Sequence, residues 1–230
     1  MSQPASRLPV GLLASGGLDS CILLGRLLDE GREVRPFYVR TGVVWERAEL
    51  IALRRFIESI GQRDGGRLHE LVLLDLPLSD LYGNHWSING HAVPDHTTPD
   101  EAVYLPGRNA LLAIKAAVWC QMRGLEQLAL ATLKSNPFPD AGEAFFASFQ
   151  AALSIGSAAK IEIIRPLENL SKPEVMRLAR GYPLGESFSC IAPVGNLHCG
   201  RCNKCAERRH AFHDADMPDP TVYIKEAVRP

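Results

Sequence analysis

Short apolar runs alternate along the chain with longer segments whose apolar residues recur at helical spacing. The apolar runs predict strands over residues 10–14, 34–39, 68–74, 127–132 and 161–164. The periodic segments predict helices over residues 18–29, 45–60, 110–123, 142–155 and 172–180. Because strands that alternate with helices form βαβ units, the pattern predicts an α/β fold with a Rossmann-like parallel sheet.

Two stretches break this alternation. Residues 77–106 are rich in Pro, Asn, His, Asp and Gly and show no clear periodicity, which is typical of a long functional loop. The alternation ends again near Gly185, and four cysteines follow soon afterwards. We therefore predict a main α/β domain over residues 1–184 and a small C-terminal appendage over residues 185–230 that packs on it.

The composition is that of an ordinary globular protein and excludes several classes. Apolar residues make up 46% of the chain and charged residues 22%, and the formal net charge is −1. This balance argues against a protein that coats nucleic acid or binds a membrane surface. No apolar run approaches the roughly 20 residues of a membrane span, and the N-terminus has no hydrophobic signal core. We expect a cytoplasmic protein.

The turn after the first predicted strand has the residues of a phosphate-binding loop, Ser15-Gly16-Gly17-Leu18-Asp19-Ser20. The first amides of the following helix lack intrahelical acceptors and carry partial positive charge, and the glycines let the backbone approach an anion. Asp19 would repel a phosphate unless it holds Mg²⁺. The alternative is a plain Gly-Gly turn in which Asp19 or Ser20 caps the helix. The loop lacks the spacing of a Walker A motif.

Four cysteines near the C-terminus have the spacing of a metal site. Eight, two and two residues separate Cys190, Cys199, Cys202 and Cys205. Four thiolates leave no open coordination position, so the pattern predicts structural zinc. An iron–sulfur cluster and a redox dithiol are the alternatives, and a neighbouring histidine could replace one cysteine. The candidate histidines are His198, His210 and His213. Cys21 and Cys120 lie in apolar helical patterns and are interpreted as core residues.

Two further basic residues stand at predicted helix starts. Arg108 follows Gly107 at the end of the long loop, where its guanidinium could bind a phosphate or a carboxylate. Lys172 follows Ser171, a natural N-cap, and a cation at a helix N-terminus is unfavourable without an anion nearby. The alternative for each is a solvated surface residue.

The ordered set of motifs resembles a known enzyme family over nearly the whole chain. The Ser-Gly-Gly-Leu-Asp-Ser loop resembles the PP-loop of the ATP pyrophosphatases. Pro106-Gly107-Arg108-Asn109, Pro139-Asp140, Ser171-Lys172 and the cysteine cluster follow in the order of the 7-cyano-7-deazaguanine (preQ0) synthase family. The resemblance implies a fold of the adenine nucleotide alpha-hydrolase type with a C-terminal zinc-binding appendage.

The resemblance also implies an activity and a set of site residues. Members of that family are ligases that convert 7-carboxy-7-deazaguanine and ammonia to the nitrile through adenylated intermediates, with ATP and Mg²⁺. The implied catalytic residues are Asp19 as a magnesium ligand, Arg108 and Lys172 as contacts to phosphate or the acyl-adenylate, and Asp140 as the base or the ammonia contact. The implied nucleotide-binding residues are Ala14, Ser15, Gly16, Gly17, Leu18, Asp19, Ser20, Cys21, Ile22, Leu23 and Leu24. A homodimer acting on a small molecule, with no nucleic-acid or membrane partner, is expected.

Two segments depart from the family pattern. Residues 132–142 lack the Asp-x-Ser-Gly-Tyr run and the Cys-Arg pair of the family, and residues 43–47 replace a Gln-Arg-His-like stretch. We expect both segments where the acceptor substrate binds. The alternatives are therefore a related enzyme that adenylates another carboxylate or a macromolecule, a tRNA-modifying PP-loop enzyme, and a nucleotide-binding regulator without turnover.

Overall fold

A computed structural model describes residues 9–62, 67–157 and 159–224 of the chain. Its strands are β1 (Val10–Leu13), β2 (Val34–Arg40), β3 (Val72–Asp75), β4 (Gln127–Ala129) and β5 (Glu162–Ile164). The helices are α1 (Leu18–Asp29), α2 (Glu46–Gly61), α3 (Ser79–Tyr82), α4 (Trp86–Asn89), α5 (Arg108–Gln121), α6 (Glu143–Ser157), α7 (Lys172–Leu178) and α8 (Asn203–Asp214). Short 3₁₀ turns cover Asp100–Val103, Pro139–Ala141 and Leu184–Glu186.

The five strands form one parallel sheet in the order β3-β2-β1-β4-β5, which confirms the predicted Rossmann-like α/β fold. One apolar layer joins β1 and β2 to α1, α2, α7 and α8. A second layer joins β4 to α5 and α6 on the other face. The sheet is therefore buried on both sides, which explains why its strands are continuous apolar runs.

The third strand is shorter than the predicted segment 68–74. Leu68 forms only an isolated bridge with Val34, and regular pairing begins at Phe37 and Val72. Val34 exchanges backbone hydrogen bonds with the β3 side, so Pro36, two positions on, faces the same side. Because proline has no N–H, the ladder is interrupted between these two contacts.

The C-terminal part contains a helix that sequence periodicity did not predict. Helix α8 packs against α7, and Ala211, Phe212 and Ala215 join the same apolar layer as α1. Its sequence is strongly polar, because only a narrow stripe of the helix is buried. Among the described residues, no helix combines the length and the apolar character needed to cross a bilayer.

Candidate active site and metal centre

A cavity of about 340 Å³ opens at the carboxyl ends of β1, β2 and β4. The chain moves from β1 through β2 to β3 on one side of the sheet and resumes at β4 on the other side of β1. Ligands of open α/β sheets bind at such a switch point, because the loops that leave adjacent strands diverge there. The cavity is therefore the candidate active site.

The predicted phosphate loop forms one wall of the cavity. Gly16 has a φ of +82°, and Gly17 is the extended N-cap of α1. A Cβ on Gly16 would lie 3.1 Å from the carbonyl oxygen of Glu49, so α2 packs directly against the loop. On the other side the N–H of Phe188 donates to the carbonyl of Gly16 at 2.7 Å. The loop is thus held from two directions at a glycine that no larger residue replaces easily.

Hydroxyl groups shape the interior of this loop. The Oγ atoms of Ser15 and Ser20 lie 3.2 Å apart, and the Ser15 amide donates to Ser20 Oγ at 3.2 Å. The Gly17 amide donates to Ser15 Oγ at 3.2 Å. The seryl side chains therefore accept from the same kind of loop amides that a phosphate would use.

Only part of the predicted nucleotide-binding segment reaches the cavity. The lining residues are Ala14, Ser15, Gly17, Leu18, Asp19 and Ser20. Gly16 instead packs on Glu49 and Leu53. The remaining predicted positions, Cys21, Ile22, Leu23 and Leu24, are at most 1% exposed in the core behind the loop. Cys21 and Cys120 are both buried, as predicted for core residues.

Charges from three helices meet beside the loop. Lys172 Nζ lies 2.9 Å from each carboxylate oxygen of Asp19 and 3.2 Å from Glu207 Oε1, while Lys204 Nζ lies 2.5 Å from Glu207 Oε2. Burial alone would lower the pKa of Lys172, but the two carboxylates outweigh it and raise that pKa above its usual range. Burial would raise the pKa of Glu207, but Lys172 and Lys204 bring it to about 2. Lys172 and Glu207 are therefore charged at neutral pH, and all four side chains line the cavity.

The start of α7 explains how Lys172 is placed. Ser171 and Glu174 form a capping box, in which Glu174 Oε2 accepts from the Ser171 amide at 2.8 Å. This cap fixes the first turn, and the anions that a lysine there requires are Asp19 and Glu207.

Glu49, Tyr38 and Arg108 form a second polar group on the cavity wall. Glu49 is 8% exposed, and its Oε2 accepts from the Tyr38 hydroxyl at 2.7 Å. Burial raises the pKa of Glu49 to about 7, although the Arg108 charge and the Tyr38 hydrogen bond act in the opposite direction. Arg108 Nε is buried and has no hydrogen-bond partner among the described residues. An unpaired buried donor facing a cavity is a natural contact for an anionic ligand.

Asp140 lies in the same cavity but is already engaged. It is 6% exposed, and one carboxylate oxygen accepts from the Asn109 amide at 3.0 Å. The side-chain amide of Asn109 donates to the other carboxylate oxygen at 3.2 Å and to the Asp140 carbonyl at 3.1 Å. Asp140 therefore fixes the first turn of α5, which also contains Arg108.

The two segments that depart from the family pattern both contribute to the cavity wall. Trp45, from residues 43–47, stacks on Trp86 with ring centroids 5.7 Å apart, and both line the cavity. Residues 132–142 contribute Thr132 and Phe138, and Phe138 packs on Tyr104 at 5.1 Å. Thr132 Oγ1 is buried with no hydrogen-bond partner in the described part of the chain. The long loop 77–106 likewise reaches the cavity, through Trp86 and Tyr104.

The four predicted cysteines come together behind this wall. The sulfur atoms of Cys190, Cys199, Cys202 and Cys205 all lie within 4.8 Å of one another, and all four residues are buried. The Cys199–Cys205 and Cys190–Cys202 sulfur pairs are 4.0 and 3.9 Å apart. A tetrahedral zinc ion with Zn–S bonds of about 2.3 Å places its ligands about 3.8 Å apart. The donor set and its spacing therefore fit zinc.

The neighbouring histidine and arginine have other partners. His198 Nε2 accepts from the Ser189 amide at 3.1 Å, and burial, followed by the Arg208 charge, lowers its pKa to about 3. Arg208 is 1% exposed and donates to the Leu184 carbonyl and to Ser187 Oγ, each at 2.9 Å. Both residues thus hold the segment between the cavity and the cysteines.

Comparison with known proteins identifies the family. The family model described as "Queuosine biosynthesis protein QueC" matches residues 10–216. This chain belongs to the QueC family. Among its curated relatives, the 7-cyano-7-deazaguanine synthase of Anaeromyxobacter sp. (strain Fw109-5) is 30% identical and covers 94% of this chain and 96% of its own. The synthases of Azoarcus sp. (strain BH72) and Syntrophobacter fumaroxidans are also 30% identical, over 92% and 94% of this chain and 95% and 96% of their own. The predicted family resemblance is confirmed.

Several residues of this QueC-family site were not identified from the sequence. Glu49 lies in the amphipathic helix α2, and Tyr38 lies in strand β2. The only signal in the sequence is that Glu49 places a carboxylate at a position that the helical period puts on the buried side. Lys204 and Glu207 stand next to the cysteines in the sequence, where no motif connects them to the phosphate loop. Their position at the phosphate loop follows from the packing of α8 on α7.

Proposed function

We propose that this protein converts 7-carboxy-7-deazaguanine and ammonia to 7-cyano-7-deazaguanine with the consumption of ATP. The observation that carries the proposal is the joining of a Ser-Gly-Gly-Leu-Asp-Ser loop with Arg108 and Lys172 on one cavity at the switch point of the sheet. Family membership and the names of the curated relatives support the same reaction.

The chemistry requires two activations of one carbon. A carboxylate is a poor electrophile, so its oxygen first attacks the α-phosphorus of ATP and pyrophosphate leaves. Ammonia then displaces AMP and forms an amide. The amide oxygen attacks a second ATP in the same way, and loss of AMP with two protons leaves the nitrile. The protein has to position the reactants and stabilise charge on phosphorus, and it needs no covalent nucleophile.

The residues divide these tasks. The loop from Ser15 to Ser20 would hold the phosphates, and Lys172 would neutralise the charge that builds up on them. Arg108, with its unpaired Nε, would bind the phosphate or the acyl-adenylate. Asp140 was predicted as the base or the ammonia contact. Because Asn109 already donates to both of its carboxylate oxygens, we assign it the positioning of α5.

The proposed enzyme would bind two kinds of metal ion, Mg²⁺ with the nucleotide and Zn²⁺ at the four cysteines. The Asp19 carboxylate has the oxygen ligands that Mg²⁺ prefers and lies on the cavity wall, where Mg²⁺ would neutralise phosphate charge. The four cysteines would hold zinc with a structural role. Cys202 is the N-cap of α8 and Cys205 lies in its first turn, so zinc would fix the helix that carries Lys204 and Glu207.

We further propose that the enzyme acts as a homodimer in the cytoplasm on small molecules, without nucleic acid or membrane. The net charge of −1 argues against nucleic-acid and membrane-surface partners, and free cysteines are typical of a reducing compartment. The homodimer is proposed from the family resemblance alone. Light scattering after size exclusion would measure the dimer, and a monomer mass would contradict that part.

The test is pyrophosphate release from ATP in reactions that omit one component at a time. We expect release to depend on 7-carboxy-7-deazaguanine and to continue to a second equivalent only when ammonia is present. Release with another carboxylate alone would assign a different acceptor, and ATP binding without turnover would assign a regulator.

A further inference from the structure

The buried carboxylate of Glu49 lines the cavity but has no role in the reaction as described above. Its helix lies against the phosphate loop, since a Cβ on Gly16 would lie 3.5 Å from Glu49 Cγ. Glu49 also lines the cavity in which the acyl-adenylate would form. A carboxylate buried next to a phosphate site is costly to keep charged, so its presence calls for a reason.

Hydrogen bonding leaves one oxygen of Glu49 for a ligand. Oε2 accepts from the Tyr38 hydroxyl, whereas the hydrogen bonds of the described residues include none to Oε1. Oε1 is also not among the fully buried polar atoms without a partner, so this oxygen keeps some exposed surface on a side chain that lines the cavity. The carboxylate is therefore fixed by one oxygen and open at the other.

The groups that face Glu49 come from four elements. Tyr38 lies on β2, Arg108 on α5, Glu46 on α2 itself, and Cys21 on α1. Burial is the largest influence and raises the pKa of Glu49 to about 7, with Arg108 and Tyr38 limiting the rise and Glu46 adding to it. A base with a pKa near the working pH combines availability with driving force for proton transfer.

We propose that Glu49 is the catalytic base that accepts a proton from ammonia as it attacks the adenylated carboxylate. The inference rests on the proposed function. The step balances without a further reactant: the nitrogen lone pair forms the C–N bond, the C–O bond to AMP breaks, and AMP keeps that electron pair. One N–H proton passes to Oε1 of Glu49. The product is the amide, and Glu49 returns its proton to water afterwards.

Two variants separate this role from a purely structural one. Glu49→Gln keeps the size of the side chain and an acceptor for Tyr38 but cannot take a proton. Tyr38→Phe removes the hydrogen bond that lowers the pKa of Glu49, so the base should titrate at higher pH. Glu58→Gln, at an exposed position of the same helix, is the matched control.

The experiment compares two half-reactions of the full-length enzyme across a range of pH. Exchange of pyrophosphate into ATP with 7-carboxy-7-deazaguanine and no ammonia reports adenylation. Amide formation with ammonia reports the proposed step. We expect E49Q to keep exchange within about threefold and to lose about 10²- to 10⁴-fold in amide formation, the usual contribution of a general base. At equal concentrations of free ammonia, the fall in wild-type amide formation below about pH 7 should disappear in E49Q and move to higher pH in Y38F.

Other results would overturn either the role of Glu49 or the proposed function. Amide formation by E49Q within tenfold of wild type, or equal loss of exchange and amide formation, would overturn the role of Glu49. If E49Q fails to fold in a thermal melt, an unmoved pH limb in Y38F would overturn it instead. Absence of exchange in the wild-type enzyme would refute the proposed function, and it is seen before any variant is made.

Discussion

The ammonium of Lys172 lies 2.9 Å from both carboxylate oxygens of Asp19, although 153 positions separate the two residues. The contact joins the first turns of α7 and α1, and Glu207 of α8 completes it at 3.2 Å. Lys172, the Asp19 carboxylate that we propose holds Mg²⁺, and the proposed phosphate loop therefore form one electrostatic unit. In this unit, ATP would compete for a cation that is already paired.

Replacing Lys172 should strongly slow adenylation and leave the fold in place. Lys172→Met keeps the aliphatic stem but removes the charge that would balance the phosphates, so we expect exchange of pyrophosphate into ATP to fall about 10²- to 10³-fold. Lys115→Met, at an exposed position of α5, is the control and should retain wild-type exchange. Near-normal exchange in K172M would show that Lys172 serves only to pair with Asp19.

The sequence predicted the loop and Lys172 but not the other charged residues of this site, for a physical reason. The loop and Lys172 are contiguous motifs, and each also has a local structural cause, a Gly turn and a capping box. Glu207 and Lys204 depend on where α8 packs, which a polar helix with a narrow buried stripe does not reveal. Glu49 depends on the register of α2 against Gly16, a contact between elements that no local pattern records.

The boundaries of helices and strands were also predicted where local residues set them and missed where tertiary pairing sets them. Helix α1 begins and ends at the predicted residues 18 and 29, because Gly17 and Gly31 mark its ends. The long loop 77–106 was correctly placed but holds one-turn helices, which are too short to produce a period. Strand β3 begins late because Pro36 on its neighbour removes a donor, which requires knowledge of the pairing.

The cysteine cluster should hold zinc and stabilise α8. Because Cys202 is both a proposed ligand and the N-cap of α8, Cys202→Ser should lower the bound zinc from about one ion per chain and reduce thermal stability. Metal analysis and a thermal melt measure both effects. Cys120→Ala, which changes a buried cysteine outside the cluster, should keep its zinc. Iron in the purified protein, or full zinc in C202S, would refute the assignment.

Gly16 should not tolerate a side chain. Its φ of +82° costs an L-residue about 1–2 kcal/mol, and a Cβ would lie 3.2 Å from Leu53 Cβ and 3.1 Å from the Glu49 carbonyl. We expect Gly16→Ala to lower the free energy of unfolding by at least that amount in urea titration. In contrast, Gly156→Ala in α6 meets no atom within 4 Å and should be neutral or stabilising. Equal stability of G16A and wild type would mean that the loop is less constrained than described.

Stability should depend on pH through Glu49. Its pKa is raised by burial from 4.5 to about 7, so the folded state binds this proton more tightly than the unfolded state. The contribution is complete below about pH 4.5 and is lost as the pH rises through 7, and it amounts to about 3 kcal/mol. His198, whose pKa is lowered, changes stability in the opposite sense below pH 6.5.

The difference between wild type and Glu49→Gln isolates this effect from His198. Wild type should lose stability relative to E49Q as the pH rises from 4 to 8, measured by urea unfolding at each pH. Glu58→Gln should follow wild type throughout, because Glu58 is exposed. A constant difference between wild type and E49Q would mean that Glu49 has the same pKa in the folded and unfolded states, and that it is poorly suited to act as a base near pH 7.

Mass spectrometry of one reaction identifies the product that the enzyme forms. The enzyme is incubated with ATP, 7-carboxy-7-deazaguanine and ¹⁵N-labelled ammonia, and the deazapurine products are followed over time. We expect a transient labelled amide and then the labelled nitrile, with two AMP formed for each nitrile. Unchanged acid despite ATP consumption, or an amide that accumulates with no nitrile, would contradict the proposed reaction.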